Sequence, residues 1–441
     1  MIYEKVVLGS NESGGLKKLM KQIKNSRNFN FENVKVDPFW NTGGEKESKV
    51  HRFHAYPAKF PAFIASKAFT FAKERNSKIK TVADIFCGCG TTAFEAARYG
   101  IDFWGCDISP VATMIAKAKS QSYISNRLID YKERILGNYS NFRKDIVLRN
   151  VNERLAYWFN NRSLIDLIAL KKAIENAIPA KSKYRYFFDC AFSNILKPSS
   201  LWLTKSIKPQ LDLSKKPRQV ISLFNEQCDF MISANAENDS KKLSKIEIAT
   251  GNILDTKLEV PKVDLVVTSP PYVTSYEYAD LHQLSSLWLD YAEDYRELRI
   301  GSIGSLYHTY NFNREWKRLN EVGAKIVSRL LYPNKIKAKS VAKYFLDMQM
   351  VAKRSYQMLN KNGIAFFVIG NTEYKGVRID NALHLAHSLE CAGFLRIFAS
   401  KRKISKKILT PYRDSKGKFT NDADSRQVYN EEFIVIAEKG Q

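Results

Sequence analysis

Seven short runs along the chain are almost continuously apolar: Thr81–Phe86, Asp102–Ile108, Ile246–Thr250, Asp264–Thr268, Ile364–Gly370, Phe394–Ala399 and Phe433–Glu438. They lack the alternation of a half-exposed strand and suit strands covered on both faces, as in a parallel sheet. Helical periodicity separates several of them. Thr92–Tyr99 follows the first run and Val111–Lys119 the second, while Val341–Leu359 and Ile379–Ala392 precede the fifth and sixth. Gly393 is placed to cap the last of these helices. Strands alternating with helices predict βαβ units in a doubly wound α/β sheet. Between the last two runs no helix-length pattern occurs, so Lys401–Glu432 reads as a long hairpin loop and the seventh strand as antiparallel.

Two stretches interrupt this alternation. Lys119–Lys245 holds 23 Lys/Arg against 12 Asp/Glu and reads as helical, for example over Leu155–Ile178, with a Pro- and Lys-rich loop near Lys205–Arg218. Val273–Ser340 is Tyr-rich and also mainly helical. Both are too long for ordinary connections and read as functional insertions. The first fifty residues carry Gly and Asn clusters and form an N-terminal extension.

Composition narrows the class of protein. The 441 residues are 44% hydrophobic and 26% charged, enough apolar material for a large core and unlike a disordered chain. The formal net charge is +25, which calls for a polyanionic partner, nucleic acid or an acidic membrane surface. No run approaches ~18 uninterrupted apolar residues, so no spanning helix is expected. The opening MIYEKVVLGS lacks a basic segment followed by an apolar core, so no secretory leader is expected either. Six cysteines form no CxxC pair, which points to reduced thiols and a cytoplasmic location. His384 and His387 share a helix face, but no Cys or acidic cluster completes a ligand set, so no metal is expected.

Four stretches carry candidate chemistry. In DIFCGCGTT, Asp84–Thr92, a strand runs through a Gly-x-Gly turn into a helix. The glycines allow close backbone approach to a ligand, and the helix start offers free N–H donors. Ala93 and Phe94 follow where a dinucleotide fingerprint needs its third glycine, and no GKS/T is present, so neither that fingerprint nor a P-loop fits. A plain tight turn fits these residues as well. Asp107, at the end of the next strand in GCDISP, is where an acid accepts bonds from two ribose hydroxyls, and equally where one caps a helix. TSPPY, Thr268–Tyr272, ends the fourth strand with two stiff prolines, whose carbonyls have fixed directions, and then an aromatic ring. That combination suits a flat base bearing an amine; a packed, proline-terminated strand is the plainer alternative. HRFHAYPAKFP, His51–Pro61, could cover a ligand or serve as a packed lead-in.

Together these stretches resemble the S-adenosylmethionine-dependent amino-methyltransferases of DNA, over roughly residues 50–118 and 246–440. The resemblance implies an α/β class I methyltransferase (Rossmann-like) fold. Its seven-stranded, mostly parallel sheet would have the last strand antiparallel and would carry largely helical insertions. It divides the chain into an N-terminal extension (1–50), a discontinuous catalytic domain (51–118 and 246–441), a basic helical insertion and candidate DNA-recognition region (119–245), and a second insertion (273–340). It implies S-adenosyl-L-methionine as cofactor, held by Tyr56, Pro57, Ala58, Lys59, Asp84, Phe86, Gly88, Gly90, Thr91, Thr92, Asp107, Asn252 and Asp255, the last two from GNILD. Ser269, Pro270, Pro271 and Tyr272 would be catalytic.

The Ser form of the motif resembles enzymes that methylate N4 of cytosine, the Asp form those acting on N6 of adenine. Duplex DNA, with a cognate restriction endonuclease beside it, is the implied partner set. The reading gives Ser269 and the Pro270 carbonyl the amine protons and Tyr272 the face of the extruded base. Cys87 and Cys89 lack a Pro-Cys setting, so C5 chemistry is not expected. Lys401–Lys418, with eight basic residues against one Asp, is expected to contact DNA. The competing readings are an N6-adenine enzyme, an RNA amino-methyltransferase and a non-catalytic nucleic-acid-binding protein.

Overall fold

The computed structural model describes residues 31–41, 46–57, 59–76, 79–237, 244–273, 277–305, 307, 310–404, 412–413, 420, 422, 424, 426–427 and 431–440. Its centre is one seven-stranded sheet. In chain order the strands are β1 (Thr81–Asp84), β2 (Asp102–Asp107), β3 (Ile246–Thr250), β4 (Val263–Thr268), β5 (Leu359–Ile369), β6 (Arg396–Lys403) and β7 (Glu431–Glu438). All seven apolar runs are therefore strands, with ends shifted by a few residues. Across the sheet the order is β3-β2-β1-β4-β5-β7-β6. Every pair from β3 to β5 is parallel, and β7 is antiparallel to both β5 and β6. This is the class I methyltransferase fold.

The apolar runs are continuous because both faces of the sheet are covered. On one side Val82, Leu265, Val267, Phe366 and Val368 pack with helix α1 (Ala62–Arg75) and with Trp40. The alternate residues Ala83, Val266 and Phe367 pack on the other side. They meet three helices, numbered here after those that precede them in the chain: α10 (Glu321–Leu331), α11 (Lys335–Met358) and α12 (Asn381–Ala392). Each fully buried Phe or Leu contributes roughly 1.5–3 kcal/mol. Gly393, at φ +106°, ends α12 in the left-handed conformation that favours glycine.

Helices α2 (Thr91–Tyr99) and α3 (Pro110–Ser120) flank β2. The basic stretch that follows folds as α4 (Ser125–Phe142), α5 (Glu153–Trp158), α6 (Asn161–Ala177), α7 (Lys183–Ile195) and α8 (Val220–Ala236). The continuous helix expected over Leu155–Ile178 is in fact two. Phe159 leaves the helical region at ψ 141°, and Asn160 caps α6 by accepting from Ser163 N at 2.8 Å. Phe94, Val111, Met114 and Ile115 of α2 and α3 share one core with the apolar faces of α4 to α8. That core also takes in Leu284, Leu287 and Trp288 of α9 (Gln283–Trp288), from the second long stretch.

From the first fifty residues, Phe31 packs on Phe433 and Trp40 on Phe366. Residues 1–30 and 42–45, and most of Lys401–Lys418, lie outside the described residues. Among the described residues no helix is long and apolar enough to cross a membrane. His384 is buried and stacks on Phe345, with ring centroids 4.0 Å apart.

Candidate active site

The carboxyl ends of β1, β2 and β4 converge on a cavity of about 1080 Å³. Between β1 and α2 the chain turns through Gly88 (φ +47°) and Gly90 (φ +76°), conformations that side chains resist. A Cβ on Gly90 would lie 2.6 Å from Ala116 Cβ, so this glycine also sets how closely α2 approaches α3.

Asp107, at the end of β2, holds the turn in place. Its Oδ2 accepts from Gly88 N and its Oδ1 from Ser109 N, both at 2.9 Å. Burial raises its pKa and these two N–H groups oppose the rise. Asp84 ties the turn to the TSPPY segment. Its Oδ1 accepts from Thr268 Oγ1 at 2.6 Å and Phe86 N at 3.1 Å, and its Oδ2 from Thr92 Oγ1 at 2.8 Å. Burial pushes its carboxyl up to about 6 against those bonds.

Beyond β4, the Ser269 hydroxyl donates to the Val368 carbonyl of β5 at 2.9 Å. Tyr272 lies against Gly370, where a Cβ would come 3.0 Å from its ring. The Tyr272 hydroxyl donates to Glu432 Oε1 at 2.9 Å, and Glu432 is ion-paired with the buried Arg402. Burial, then the Glu432 charge, raises the Tyr272 pKa well above the ordinary phenol value.

Most of the expected site residues meet in this cavity: Tyr56, Lys59, Asp84, Phe86, Gly88, Thr91, Asp107, Asn252 and the whole of Ser269–Tyr272 line it. Pro57, Gly90, Thr92 and Asp255 are not among the lining residues. Gly90 and Thr92 shape the turn from behind, and Asp255 Oδ1 accepts from Lys257 N at 2.9 Å within its own turn. Ala58 lies outside the described residues. Asn252 lines the cavity with both ends of its amide engaged. Its Nδ2 donates to Gly301 O at 3.0 Å and its Oδ1 accepts from Leu254 N at 2.9 Å.

Sequence reasoning missed several lining residues. His282 stacks on Tyr56 with centroids 4.8 Å apart, and burial lowers its pKa to about 4, so the ring is neutral at pH 7. Arg402 and Glu432 sit on neighbouring strands, and Leu203–Gln210 comes from the basic helical stretch. Lys205 and Lys208 fall in the Pro- and Lys-rich loop the sequence shows, though nothing there places it at the cavity, and Arg402 falls in the basic run Lys401–Lys418 expected to contact DNA but is buried and paired with Glu432 instead. The Arg402–Glu432 pair follows from the β6–β7 register, and the two insertions reach the cavity only through tertiary packing.

The cavity fits S-adenosyl-L-methionine. Thr91 Oγ1, in the first turn of α2, and His282 Nε2 are buried polar atoms without a partner among the described residues, both on lining residues. The turn at Gly88 leaves room for a ligand against the backbone, and Asp107 has acceptor capacity beyond its two N–H partners. Fold and site define an S-adenosylmethionine-dependent methyltransferase.

Type II methyltransferase M.MvaI of Kocuria varians is 23% identical over 424 residues, covering 88% of this chain and 90% of that protein. M.BsoBI of Geobacillus stearothermophilus is 22% identical over 418 residues, covering 81% of each chain. M.AvaI of Nostoc sp. is 22% identical over 391 residues, covering 79% of this chain and 80% of that one. No family model matches the chain. Among solved structures, an S-adenosylmethionine-dependent methyltransferase of Methanosarcina mazei aligns over 82% of this chain and 92% of its own, at 8% identity and a TM-score of 0.27.

Proposed function

We propose that this chain methylates the exocyclic amine of a base extruded from duplex DNA, with N4 of cytosine as the target. The observation that carries the reading is the bond from Ser269 Oγ to the Val368 carbonyl. With its proton committed to Val368, the hydroxyl would act as an acceptor through its lone pairs. The Pro270 carbonyl next to it is an acceptor by nature. Two acceptors on consecutive residues of the cavity lining would match the two protons of an amine. Drawing on both N–H bonds favours a pyramidal nitrogen whose lone pair is withdrawn from the ring. Tyr272, braced by Glu432 and Gly370, would present its ring to the base.

We assign the cofactor to Tyr56, Lys59, Phe86, Gly88, Thr91, Asp107 and Asn252, with Asp107 taking the ribose hydroxyls. When bound, S-adenosyl-L-methionine supplies a methyl group activated by its sulfonium. The chain's own contribution is positioning of the amine and electrostatic preorganisation. Residues 51–118 and 246–441 would form the catalytic part and 119–245 the recognition part. A cytoplasmic setting with a cognate restriction endonuclease agrees with the three relatives, each named a Type II methyltransferase.

The test is incubation of unmethylated bacterial DNA with the protein and S-adenosyl-L-methionine, followed by nucleoside mass spectrometry. N4-methylcytosine is the expected product. N6-methyladenine would overturn the choice of base and keep the amine chemistry. Methylation of ribosomal RNA alone would replace DNA as the substrate. No methylated nucleoside in either would leave a nucleic-acid-binding protein.

A further inference from the structure

Four cationic side chains line the cavity: Lys59, Lys205, Lys208 and Arg402. Two of them are neutralised in place. Lys59 Nζ lies 3.0 Å from Glu47 Oε2, and Arg402 is paired with Glu432. Lys205 and Lys208 are exposed, and among the described residues neither ammonium meets a carboxylate at ion-pair distance. They sit in a short hairpin that the fold holds firmly. Leu203 N donates to Gln210 O and Asp212 N to Leu201 O, both at 2.8 Å. At the base of the hairpin Trp202 stacks on Trp158, with centroids 5.1 Å apart.

Two further lysines brace it. Lys197 Nζ donates to the Ser206 carbonyl at 2.7 Å, and Lys215 Nζ to the Trp202 carbonyl at 2.7 Å. Burial, then the charge of Lys197, lowers the Lys215 pKa to about 8. The fold thus brings two half-buried lysines together to fix a loop whose own two lysines meet no carboxylate at ion-pair distance among the described residues.

We infer that the hairpin Leu203–Gln210 is a phosphate clamp, in which Lys205 and Lys208 grip the nucleic-acid backbone beside the base that enters the cavity. This rests on the nucleic-acid reading above and locates part of the interface in the 119–245 stretch. A bent backbone at an extruded nucleotide brings phosphates to the cavity mouth, and lysines on a hairpin already braced by its backbone neutralise charge there without the cost of ordering a loop.

The experiment compares full-length wild type, K205Q/K208Q and K205R/K208R. Duplex DNA binding is followed by fluorescence anisotropy at several salt concentrations, and S-adenosyl-L-methionine binding by calorimetry. In the Gln variant, duplex affinity should fall about tenfold or more, and the slope of log K against log salt should become shallower by about 2, near 0.9 per lost phosphate contact. The Arg variant should restore both. Cofactor affinity and thermal midpoint should stay at wild-type values, because both side chains are exposed. An unchanged slope and affinity in the Gln variant overturns the inference while the proposed function stands. A loss of cofactor affinity instead of duplex affinity also overturns it, by assigning the lysines to the cofactor. Wild-type protein that binds no duplex overturns both.

Discussion

Tyr272 and Glu432 are 160 residues apart in sequence, yet the Tyr272 hydroxyl donates to Glu432 Oε1 at 2.9 Å. Glu432 is in turn the register partner of Arg402 across the antiparallel β6–β7 ladder. The aromatic ring of the TSPPY segment is thus fixed by a charged pair on two other strands. Removing Glu432 leaves a buried guanidinium without its counter-charge, which costs about 3–5 kcal/mol. Glu432→Ala should therefore lower unfolding free energy by about that amount, and R402L/E432L should recover most of it. Urea denaturation of wild type, Glu432→Ala and R402L/E432L checks this; a Glu432→Ala variant as stable as wild type would contradict the expected cost.

Gly370 fits against the Tyr272 ring so closely that a Cβ would come within 3.0 Å of it. Gly370→Ala should displace the ring and lower methyl transfer about tenfold or more, with cofactor affinity unchanged. Single-turnover kinetics beside cofactor calorimetry separates the two quantities. An equal fall in both would mean that the substitution disturbs the whole cavity rather than the ring.

The two glycines of the β1–α2 turn should behave differently. At Gly90 both the φ of +76° and a Cβ 2.6 Å from Ala116 oppose a side chain. Gly90→Ala should destabilise the fold by about 2–4 kcal/mol. At Gly88 the nearest atom to a Cβ is Tyr56 Cε1 at 3.7 Å, which is ordinary contact. Gly88→Ala should cost only about 1–2 kcal/mol of left-handed strain and act mainly on cofactor affinity. Thermal unfolding and cofactor titration of the two variants give the comparison.

Asp84 titrates near 6 in the folded protein against an ordinary 3.8, because burial disfavours its charge. Between those values the folded state holds more protons than the unfolded chain, so this group makes stability fall as pH rises from about 4 to 6. Above 6 its effect is constant, at about 3 kcal/mol. Asp84→Asn should abolish that component. Denaturation of both proteins at pH 4.5, 5.5, 6.5 and 7.5 should show the difference between them growing to pH 6 and then levelling; a parallel pair of curves would contradict the shift.

Much of the architecture was legible because burial on two faces writes continuous apolar runs, as in Phe366–Val368, and one helix follows each of the first two strands. The antiparallel seventh strand was legible from the missing helix between β6 and β7. Motif residues at strand ends were legible too, since a Gly-x-Gly turn, Asp107 and TSPPY each need a local backbone. The break between α5 and α6 was hidden because apolar spacing continues through Phe159. The place at the cavity of Glu432, Arg402, His282 and the Leu203–Gln210 hairpin was hidden for a different reason. Their positions depend on ladder register and on how long insertions fold back, and neither is encoded within a short window.

The core shared by α2, α3 and the basic helices bears on how such an enzyme changes over evolutionary time. Cutting out residues 119–245 would strip the covering from Phe94, Val111 and Ile115 and leave the helix layer beside the β1–α2 turn wet. The segment cannot be traded between proteins like a cassette. On the proposed reading of this segment, a new preference for nucleic acid would arise by substitution within the existing hairpins and helix faces, while the packing that joins them to the sheet is inherited whole.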